Sequence, residues 1–317
     1  LSLTDTDMDI DIVETVPAAV ETSGSTTAPA HTLFDIVRQL PEGSQVELDN
    51  TEDSQNLVLN SGRSKFTLSC LPTEDFPVLS GDELPHNFEL PAKTLRTLID
   101  RTKFAISTEE TRYYLNGIYI HVSDVDGTTK LRAVATDGHR LAKVEVDCPQ
   151  GAESMPGVIV PRKAVTELRK LAEEFGENIR VSVSDTRIRF SFDGVVFTTK
   201  LIDGTFPDYG RVIPTGNDKV LEVNTSDFSE AVSRVSAISS DKSRAIKLGL
   251  TAGNLLLSVI STENGSAVEE LGVDYSADGV EIGFNSRYLL DITQQIEGDL
   301  ARFTLADSAS PTLVQDT

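Results

Sequence analysis

The sequence predicts an α+β fold in which one type of domain occurs three times along the chain. A Thr-Asp or Thr-Glu pair lies in or just after a run of alternating apolar residues at Thr6, Thr136 and Thr262, with spacings of 130 and 126 residues. The dipeptide Phe76-Pro77 recurs as Phe206-Pro207, again 130 residues later. Because this period has the size of a domain, we expect three similar domains rather than a solenoid, each with two helices and antiparallel sheets.

The middle repeat is complete, so its elements can be assigned in order. A short strand at 88–91 ends in a proline and precedes a helix, and a second helix follows Pro161. Apolar residues at a period of about 3.6 define the buried face of each helix. These faces are formed by Leu95, Leu98, Ile99 and Thr102 in the first helix and by Val165, Leu168, Leu171, Ala172 and Phe175 in the second. Further strands are predicted at 113–122, 131–136, 139–146, 158–161, 179–183, 188–192 and 195–201.

The outer repeats follow the same order but are shorter. In the third repeat a hairpin flanks Glu263, and the two helices again carry apolar faces. The first repeat has no counterpart of the opening strand and helix, and the third has no counterpart of the last strand, so we expect the chain to be part of a longer protein. The predicted domains are 1–86, 87–218 and 219–317. The third-repeat helix faces are Phe228, Ala231, Val232, Val235 and Ile238, and Tyr288, Leu289, Ile292 and Ile296.

Composition restricts the possible functions. The chain has 28 basic and 50 acidic residues, a net charge of −22, which disfavours nucleic-acid binding unless basic residues are concentrated on one face. Cys70 and Cys148 lie in different repeats without a Cys-x-x-Cys spacing, so a disulfide framework is not expected. We expect the protein to work in a reducing cytoplasm. The sequence shows no signal peptide, membrane span or Walker loop, and its four histidines lack metal-ligand spacing, so we expect no metal and no cofactor.

Basic residues are concentrated in the two helices of the middle repeat. The segments 93–103 and 162–172 each carry a net charge of +3, whereas the helices of the third repeat are slightly acidic. For one such segment alone, a solvated helix face is the favoured explanation. Two of them at equivalent places in an acidic chain favour a basic helical surface surrounded by acidic ones.

Asp137-Gly138 is first of all a hairpin-turn signal, and His139 beside it is typical of an exposed turn-flanking residue. An Asp and a His this close could also indicate catalysis. No serine or cysteine nucleophile motif accompanies them, so an enzyme is the least favoured reading.

Four motifs of the middle repeat resemble the bacterial DNA polymerase III beta subunit, the sliding-clamp family. They are Arg-Tyr-Tyr-Leu-Asn-Gly at 112–117, Ala-Val-Ala-Thr-Asp-Gly-His-Arg-Leu-Ala at 133–142, Val-Ile-Val-Pro-Arg-Lys at 158–163 and Phe-Pro-Asp-Tyr at 206–209. The resemblance covers the whole chain in order. It implies a DNA-clamp fold in which two subunits join head to tail into a ring, with helices lining the hole.

The resemblance also implies a function. Such a ring encircles duplex DNA without reading its sequence and tethers the replicative polymerase, and other replication and repair proteins, for processive synthesis. It has no catalytic activity, needs a separate ATP-driven clamp loader, and works in the bacterial cytoplasm on the nucleoid during replication. The alternative is a peptide-docking adaptor that retains the partner pocket but does not close a ring.

Three sets of site residues are implied by the resemblance, and Ser243 stands where family members can carry a bulkier apolar residue. The partner-peptide pocket consists of Leu115, Thr136, Gly138, His139, Arg140, Leu141, Pro207, Arg211, Val212, Asn285 and Tyr288. DNA contacts are expected from Tyr113 and Tyr114, and from Lys93, Arg96, Arg162, Lys163 and Arg169 on the basic helices. The dimer interface is expected at Phe34, Val37, Phe66 and Ile238.

Overall fold

A computed structural model of the chain describes residues 1–50, 55–77, 83–175, 177–239 and 244–317, and Ser243 lies outside them. The chain forms two compact units. The first unit consists of Leu1–Ile99, Ile106–Val134 and Lys143–Gly204, and the second of Asp100–Ala105, Ala135–Ala142 and Thr205–Thr317. All strand pairs in the described part are antiparallel, as predicted.

The first repeat contains a hairpin, a helix and a small three-stranded sheet in the order β3-β4-β5. The helix has no buried residue. Its strands are β1 (Ser2–Thr6), β2 (Ile10–Thr15), β3 (Glu47–Asp49), β4 (Asn56–Ser61) and β5 (Ser64–Ser69), and its helix is α1 (Ala30–Val37).

The second repeat has two sheets and two helices. The helices α2 and α3 pack on the sheet β10-β7-β8-β9, where Leu95 and Leu98 of α2 and Val165 and Leu168 of α3 surround the same apolar interior. The elements are β6 (His86–Pro91), α2 (Ala92–Asp100), β7 (Gly117–Val125), β8 (Thr128–Thr136), β9 (Leu141–Asp147), β10 (Val158–Pro161), α3 (Arg162–Glu174), β11 (Asn178–Val183), β12 (Arg187–Ser191) and β13 (Val195–Lys200).

A six-stranded sheet joins the first two repeats. Its order is β1-β2-β13-β12-β11-β6, so the hairpin of the first repeat extends the second sheet of the next repeat. The junction pairs Ile12 of β2 with Phe197 of β13, and Phe197 is fully buried. The repeats are therefore connected edge to edge by backbone hydrogen bonds and by a packed core.

The third repeat forms its own core around Phe228, Leu257 and Phe303. Its sheets have the orders β18-β14-β20-β21 and β17-β16-β15-β19. The elements are β14 (Lys219–Asn224), α4 (Thr225–Ser236), β15 (Ala245–Thr251), β16 (Asn254–Ser261), β17 (Gly265–Gly272), β18 (Asp274–Tyr275), β19 (Val280–Asn285), α5 (Ser286–Thr293), β20 (Leu300–Leu305) and β21 (Leu313–Asp316). Within the described residues, no helix is long and apolar enough to cross a membrane.

Several predicted element boundaries were wrong. The strand expected at 113–122 begins only at Gly117, because residues Glu110–Leu115 form 3-10 turns despite their two tyrosines. A Cβ at position 117 would lie 2.2 Å from the carbonyl oxygen of Val160, so this strand start requires glycine. Helix α2 ends at Asp100, before the buried Thr102, and α4 and α5 end before Ile238 and Ile296.

The third occurrence of the Thr-acid pair is not structurally equivalent to the first two. Strands β1, β8 and β16 end at Thr6, Thr136 and Ser261, so the hairpin turns repeat after 130 and then 125 residues. In the third turn Ser261 Oγ accepts from the amides of Glu263 and Asn264 at 3.4 and 3.2 Å. The match to Thr262-Glu263 was therefore wrong by one residue.

Candidate DNA-binding and partner-binding sites

The turn between β8 and β9 is built by two side chains. Thr136 Oγ1 donates to the carbonyl of Arg140 at 2.7 Å and accepts from the amide of Gly138 at 3.1 Å. Asp137 Oδ1 accepts from the amides of His139 and Arg140 at 2.9 and 3.0 Å. Gly138 has a φ of 87°, which glycine adopts without steric cost. The turn is rigid, and it leaves the side chain of His139 exposed to solvent.

Arg140 connects this turn to the rest of the second unit. Its Nη1 donates to Asp291 at 2.6 Å, its Nη2 donates to the carbonyl of Phe104 at 2.6 Å, and its Nε donates to Asp137 at 3.1 Å. The guanidinium carbon lies 4.2 Å from the ring centroid of Tyr288 and 5.1 Å from that of Phe104. The side chain is 14% exposed, so these charge-assisted and cation–π contacts are largely shielded from water.

These contacts change the role expected for Arg140. We expected this arginine to orient a bound peptide, but in the structure all three kinds of its nitrogen atoms donate to groups of its own chain. A planar guanidinium suits this task because it can form several directed hydrogen bonds and stack on aromatic rings at once. Arg140 therefore supports the turn that presents His139 and Leu141.

The other expected pocket residues of the second unit lie on accessible positions. Pro207 is exposed just after Phe206, which is itself buried and fixes this segment. A 3-10 turn, Tyr209–Val212, follows, and the side chain of Val212 is 59% exposed. Arg211 pairs with Asp208 at 2.8 Å on the surface, so its charge is already partly compensated.

Asn285 and Leu115 have structural roles that the sequence did not reveal. The Oδ1 of Asn285 accepts from the amide of Arg287 at 3.0 Å and caps the N-terminus of α5. Leu115 belongs to the first unit, is 4% exposed, and accepts at its carbonyl from the amide of Ser107 at 3.1 Å. Truncation of Leu115 therefore changes packing in the first unit as well as any peptide contact.

The basic residues of α2 and α3 lie opposite the buried faces of these helices. Lys93 and Arg162 are exposed, and Arg96 is half-buried. Within the described part of the chain, none of these three residues has an ion-pair partner. Arg169, by contrast, pairs with Glu173 at 2.9 Å along the same helix.

The two expected DNA-contacting tyrosines lie beside the start of α3. The ring of Tyr113 is 54% exposed and packs edge-on against Tyr114, with ring centroids 5.7 Å apart. The carbonyl of Tyr113 accepts from the amide of Asn116 at 3.0 Å, and the carbonyl of Asn116 accepts from the amide of Arg162 at 2.9 Å. Backbone hydrogen bonds thus connect the tyrosine segment, through Asn116, to the first residue of α3.

Lys163 also differs from Lys93, Arg96 and Arg162, because its ammonium group is paired with Asp7 of the β1–β2 turn. The hydrogen bond from Lys163 and, to a smaller extent, those from the amides of Ile10 and Asp9 together lower the pKa of Asp7 to about 2. The pKa of Lys163 is raised by the same pair. Both side chains keep solvent contact, 67% for Lys163 and 38% for Asp7, so a competing anion can reach the ammonium group.

The expected dimer residues of the first repeat are exposed. Phe34 and Val37 of α1 are 65% and 43% exposed, and the guanidinium carbon of Arg38 lies 5.6 Å from the centroid of the Phe34 ring. Phe66 is half-buried on β5. In the second unit, Ile238 is half-buried next to the β16–β17 turn, where its carbonyl accepts from Asn264 Nδ2 at 3.2 Å.

The motifs did not indicate three residues of these sites, namely Phe104, Asp291, and Asp7 as the partner of Lys163. Tyr288 and Asp291 lie three residues apart on α5 and so face the same side, which could have indicated Asp291. Nothing in the local sequence indicates that position 104 or position 163 meets these turns. Within the described residues, no group of three or more His, Cys, Asp or Glu side chains is arranged to hold a metal ion.

Comparison with known families accounts for almost the whole chain. Residues 1–80 match the family described as DNA polymerase III beta subunit, N-terminal domain. Residues 89–208 match the central domain of the same subunit, and residues 210–317 match its C-terminal domain. The chain therefore contains three consecutive segments that correspond to the three domains of this subunit.

Individual relatives agree with this result. The chain is 52% identical over 316 residues to the beta sliding clamp of Caulobacter vibrioides, covering 100% of this chain and 85% of the relative. It is 38% identical over 318 residues to that of Escherichia coli K12, with the same coverage. The crystal structure of the Bartonella birtlesii sliding clamp bound to griselimycin superimposes with a TM-score of 0.96 at 50% identity, covering 100% of this chain and 84% of that one.

Proposed function

The chain belongs to the family of bacterial DNA polymerase III beta subunits, the sliding clamps, and from this we propose how its surfaces hold DNA, partners and a second subunit. It is a non-catalytic processivity factor in DNA replication, with DNA and polymerase as partners and with dimerisation as the family's mode of assembly. We place its domain boundaries at 1–86, 87–218 and 219–317. We further propose that a clamp loader opens the ring and that the protein acts in the cytoplasm, on the nucleoid.

The pairing of β2 with β13 is the observation that supports ring formation most strongly. This junction joins the hairpin of one repeat to the last strand of the next repeat. The hairpin strand that corresponds to β2 in the third repeat is β17, which is an edge strand of its sheet. The strand that corresponds to β13 in the first repeat is β5, which is also an edge strand. Repeating the same junction pairs β17 of one subunit with β5 of the next.

We propose that this head-to-tail junction contains the dimer residues expected in the first repeat. Phe66 on β5 takes the place that Phe197 has on β13, and the exposed Phe34 and Val37 of α1 provide further apolar area. The charges are complementary, because Arg63 and Lys65 lie at the β4–β5 hairpin and Glu270 lies on β17. Two such junctions close a ring of two subunits.

The basic face of α2 and α3 is proposed to line the hole and to contact DNA. Lys93, Arg96 and Arg162 offer charges that have no ion-pair partner among the described residues, and Tyr113 of the same unit presents an exposed aromatic ring. Phosphate contacts carry no sequence information, which suits a protein that must slide. The net charge of −22 is consistent with this arrangement because the remaining surface repels DNA.

We propose that partner proteins bind the second unit with a short peptide carrying apolar anchor residues. Leu141, Pro207 and Val212 offer apolar contact area, and His139 and Tyr288 offer polar atoms at its border. Arg140 maintains this site through Asp291 and the carbonyl of Phe104 rather than by binding the peptide.

A topological assay tests the function as a whole. The protein is loaded with a clamp loader and ATP onto nicked circular DNA, and retention is measured before and after the circle is cut once. Loss upon linearisation is expected for a closed ring that slides off the ends. Equal retention on both forms would mean ordinary contact binding, and no retention on either form would favour the peptide-docking adaptor.

A further inference from the structure

The Thr-Asp turn occurs twice with the same internal hydrogen bonds but with different partners for its second carboxylate oxygen. In both turns Oδ1 of the aspartate accepts from two backbone amides, at 3.0 and 2.8 Å for Asp7 and at 2.9 and 3.0 Å for Asp137. The Oδ2 of Asp137 binds Arg140 of its own turn. The first turn has the buried Ile10 at that position, and the Oδ2 of Asp7 binds Lys163 of α3 instead.

Lys163 lies on the surface that we propose to face DNA. It follows Arg162 in the first turn of α3, and the amide of Arg162 donates to the carbonyl of Asn116 just after the two tyrosines. The other acidic groups near its ammonium are Asp9 and Glu167. Asp9 pairs with Lys200 at 3.2 Å and Glu167 pairs with Lys170 at 3.1 Å, so Asp7 is the acidic group bound directly to Lys163.

We propose that Asp7 is a positioning residue that restrains Lys163 and weakens its contact with DNA phosphates, so that α3 holds the duplex loosely. This inference rests on the proposed function, because it requires α3 to face DNA. A phosphate must displace the carboxylate of Asp7 before it can bind the ammonium group, whereas no such competitor faces Arg162 in the described part of the chain. The turn therefore reduces the affinity of one DNA contact without removing it.

The size of this effect follows from the exposure of the pair. An exposed ion pair contributes only a small interaction free energy. Breaking one is therefore expected to change a binding constant by about 2- to 5-fold. A released lysine neutralises about one more phosphate, so the slope of log K against log salt becomes steeper by about 0.9. Since the pKa of Asp7 is held near 2, the restraint is present at every physiological pH.

The experiment measures binding of the intact clamp to a short fluorescent duplex by anisotropy across a range of salt concentrations. Asp7→Asn removes the charge but keeps an Oδ1 that can accept from the amides of Asp9 and Ile10. Lys163→Gln and the double variant complete a cycle, and Asp9→Asn is the matched control, because it removes an equal charge from the same turn. We expect Asp7→Asn to tighten binding about 2- to 5-fold, and we expect no such gain in the Lys163→Gln background.

A second comparison leaves the turn unchanged and so does not depend on how Asp7→Asn folds. If Asp7 restrains Lys163, then Lys163→Gln weakens DNA binding less than Arg162→Gln does. Equal losses for the two variants would overturn the inference, as would an unchanged affinity of Asp7→Asn or a gain that persists without Lys163. Those results would leave the proposal that α2 and α3 face DNA unaffected. If neither Lys163→Gln nor Arg162→Gln changes DNA binding, then the proposed DNA face fails and the inference fails with it.

Discussion

Arg140 of the β8–β9 turn donates a 2.6 Å hydrogen bond from Nη1 to the carboxylate of Asp291 on α5, 151 residues later in the sequence. The same guanidinium lies over Tyr288, one helical turn before Asp291. Two contacts to one helix fix both the distance and the orientation of the turn. His139 and Leu141 flank Arg140 and are therefore held in position before a partner binds. This lowers the conformational entropy that is lost on binding.

Arg140→Lys is expected to destabilise the protein by about 2 kcal/mol, because the single nitrogen of a lysine side chain cannot reach all three separated acceptors of Arg140 while stacking on two rings, and Asp291 loses its partner in a partly buried site. Urea unfolding followed by circular dichroism measures this loss. Arg211→Lys is the control, since the side chain of Arg211 is 83% exposed and its replacement should cost less than about 0.5 kcal/mol. Equal stability of the two variants would show that Arg140 has no supporting role.

The peptide site can be tested at Val212, which is 59% exposed, without disturbing a core. Val212→Ala combined with Leu141→Ala should reduce the affinity for a clamp-binding peptide by about 1 to 3 kcal/mol, with little change in the free energy of unfolding. Isothermal titration calorimetry gives the affinity. Unchanged peptide affinity in this double variant would contradict the assignment of the site.

Leu115→Ala should behave differently from the changes at Val212 and Leu141. Because Leu115 is 4% exposed, its truncation leaves a cavity and is expected to cost about 2 to 4 kcal/mol of folding stability. The unfolding midpoint measures this loss. A variant with normal stability and weakened peptide binding would instead make Leu115 a direct contact.

The site illustrates what motifs can and cannot predict. The motif at 133–142 led to the turn and to Arg140, and the resemblance in the third repeat led to Tyr288, because a resemblance transfers residues position by position. It could not predict that Arg140 is occupied by Asp291 and the carbonyl of Phe104, since both contacts depend on three-dimensional packing of distant segments. Likewise, the acidic Asp7 was found as a repeat landmark, but its pairing with Lys163 depends on the fold of the first unit.

Met8→Gly is expected to stabilise the chain by about 0.5 to 1 kcal/mol. Met8 has a φ of 75° at the position where Gly138 has 87° in the equivalent turn, and a side chain with a Cβ is disfavoured there. The Met8 side chain is 60% exposed, so little packing is lost. Differential scanning calorimetry measures the change. Gly138→Ala is the converse control and should lower the melting temperature; a lower value for Met8→Gly would contradict the argument.

Helices and strands were predicted well where the apolar pattern extends over many residues. They were predicted less well where the conformation of one backbone position sets the boundary of an element. Helix α3 and the three strands that follow it occur where the apolar periods place them. The start of β7 was missed because tyrosines favour strands, yet the close approach of Gly117 to Val160 sets the true boundary. The predicted position of the third turn was wrong by one residue. The hydrogen bonds that define the turn are formed by Ser261, and a Thr-acid pair in the sequence does not by itself show where they form.

The carboxyl group of Asp7 provides a pH test of the Lys163 contact. Its pKa is lowered from an ordinary 3.8 to about 2, so the pair stabilises the folded state above about pH 4, and this contribution is lost as the pH falls towards 2. In Lys163→Gln the pKa of Asp7 should rise, as measured by carboxyl carbon chemical shifts in NMR. Asp307, whose pKa is lowered by the amides of Ala309 and Ser310, is the internal control and should not change.

The proposed junction between β17 and β5 predicts that one charge can prevent dimerisation without unfolding the chain. Phe34→Glu places a carboxylate in the apolar part of this junction, where it would lose its hydration without gaining a partner. Since Phe34 is 65% exposed in a single chain, the variant should fold normally but sediment as a monomer in analytical ultracentrifugation. Val20→Glu, at a side chain that is 62% exposed elsewhere in the first unit, is the control and should remain a dimer. The monomeric variant should also lose retention on circular DNA, because two open junctions cannot enclose a duplex. A Phe34→Glu variant that remains dimeric would mean that the subunits meet elsewhere.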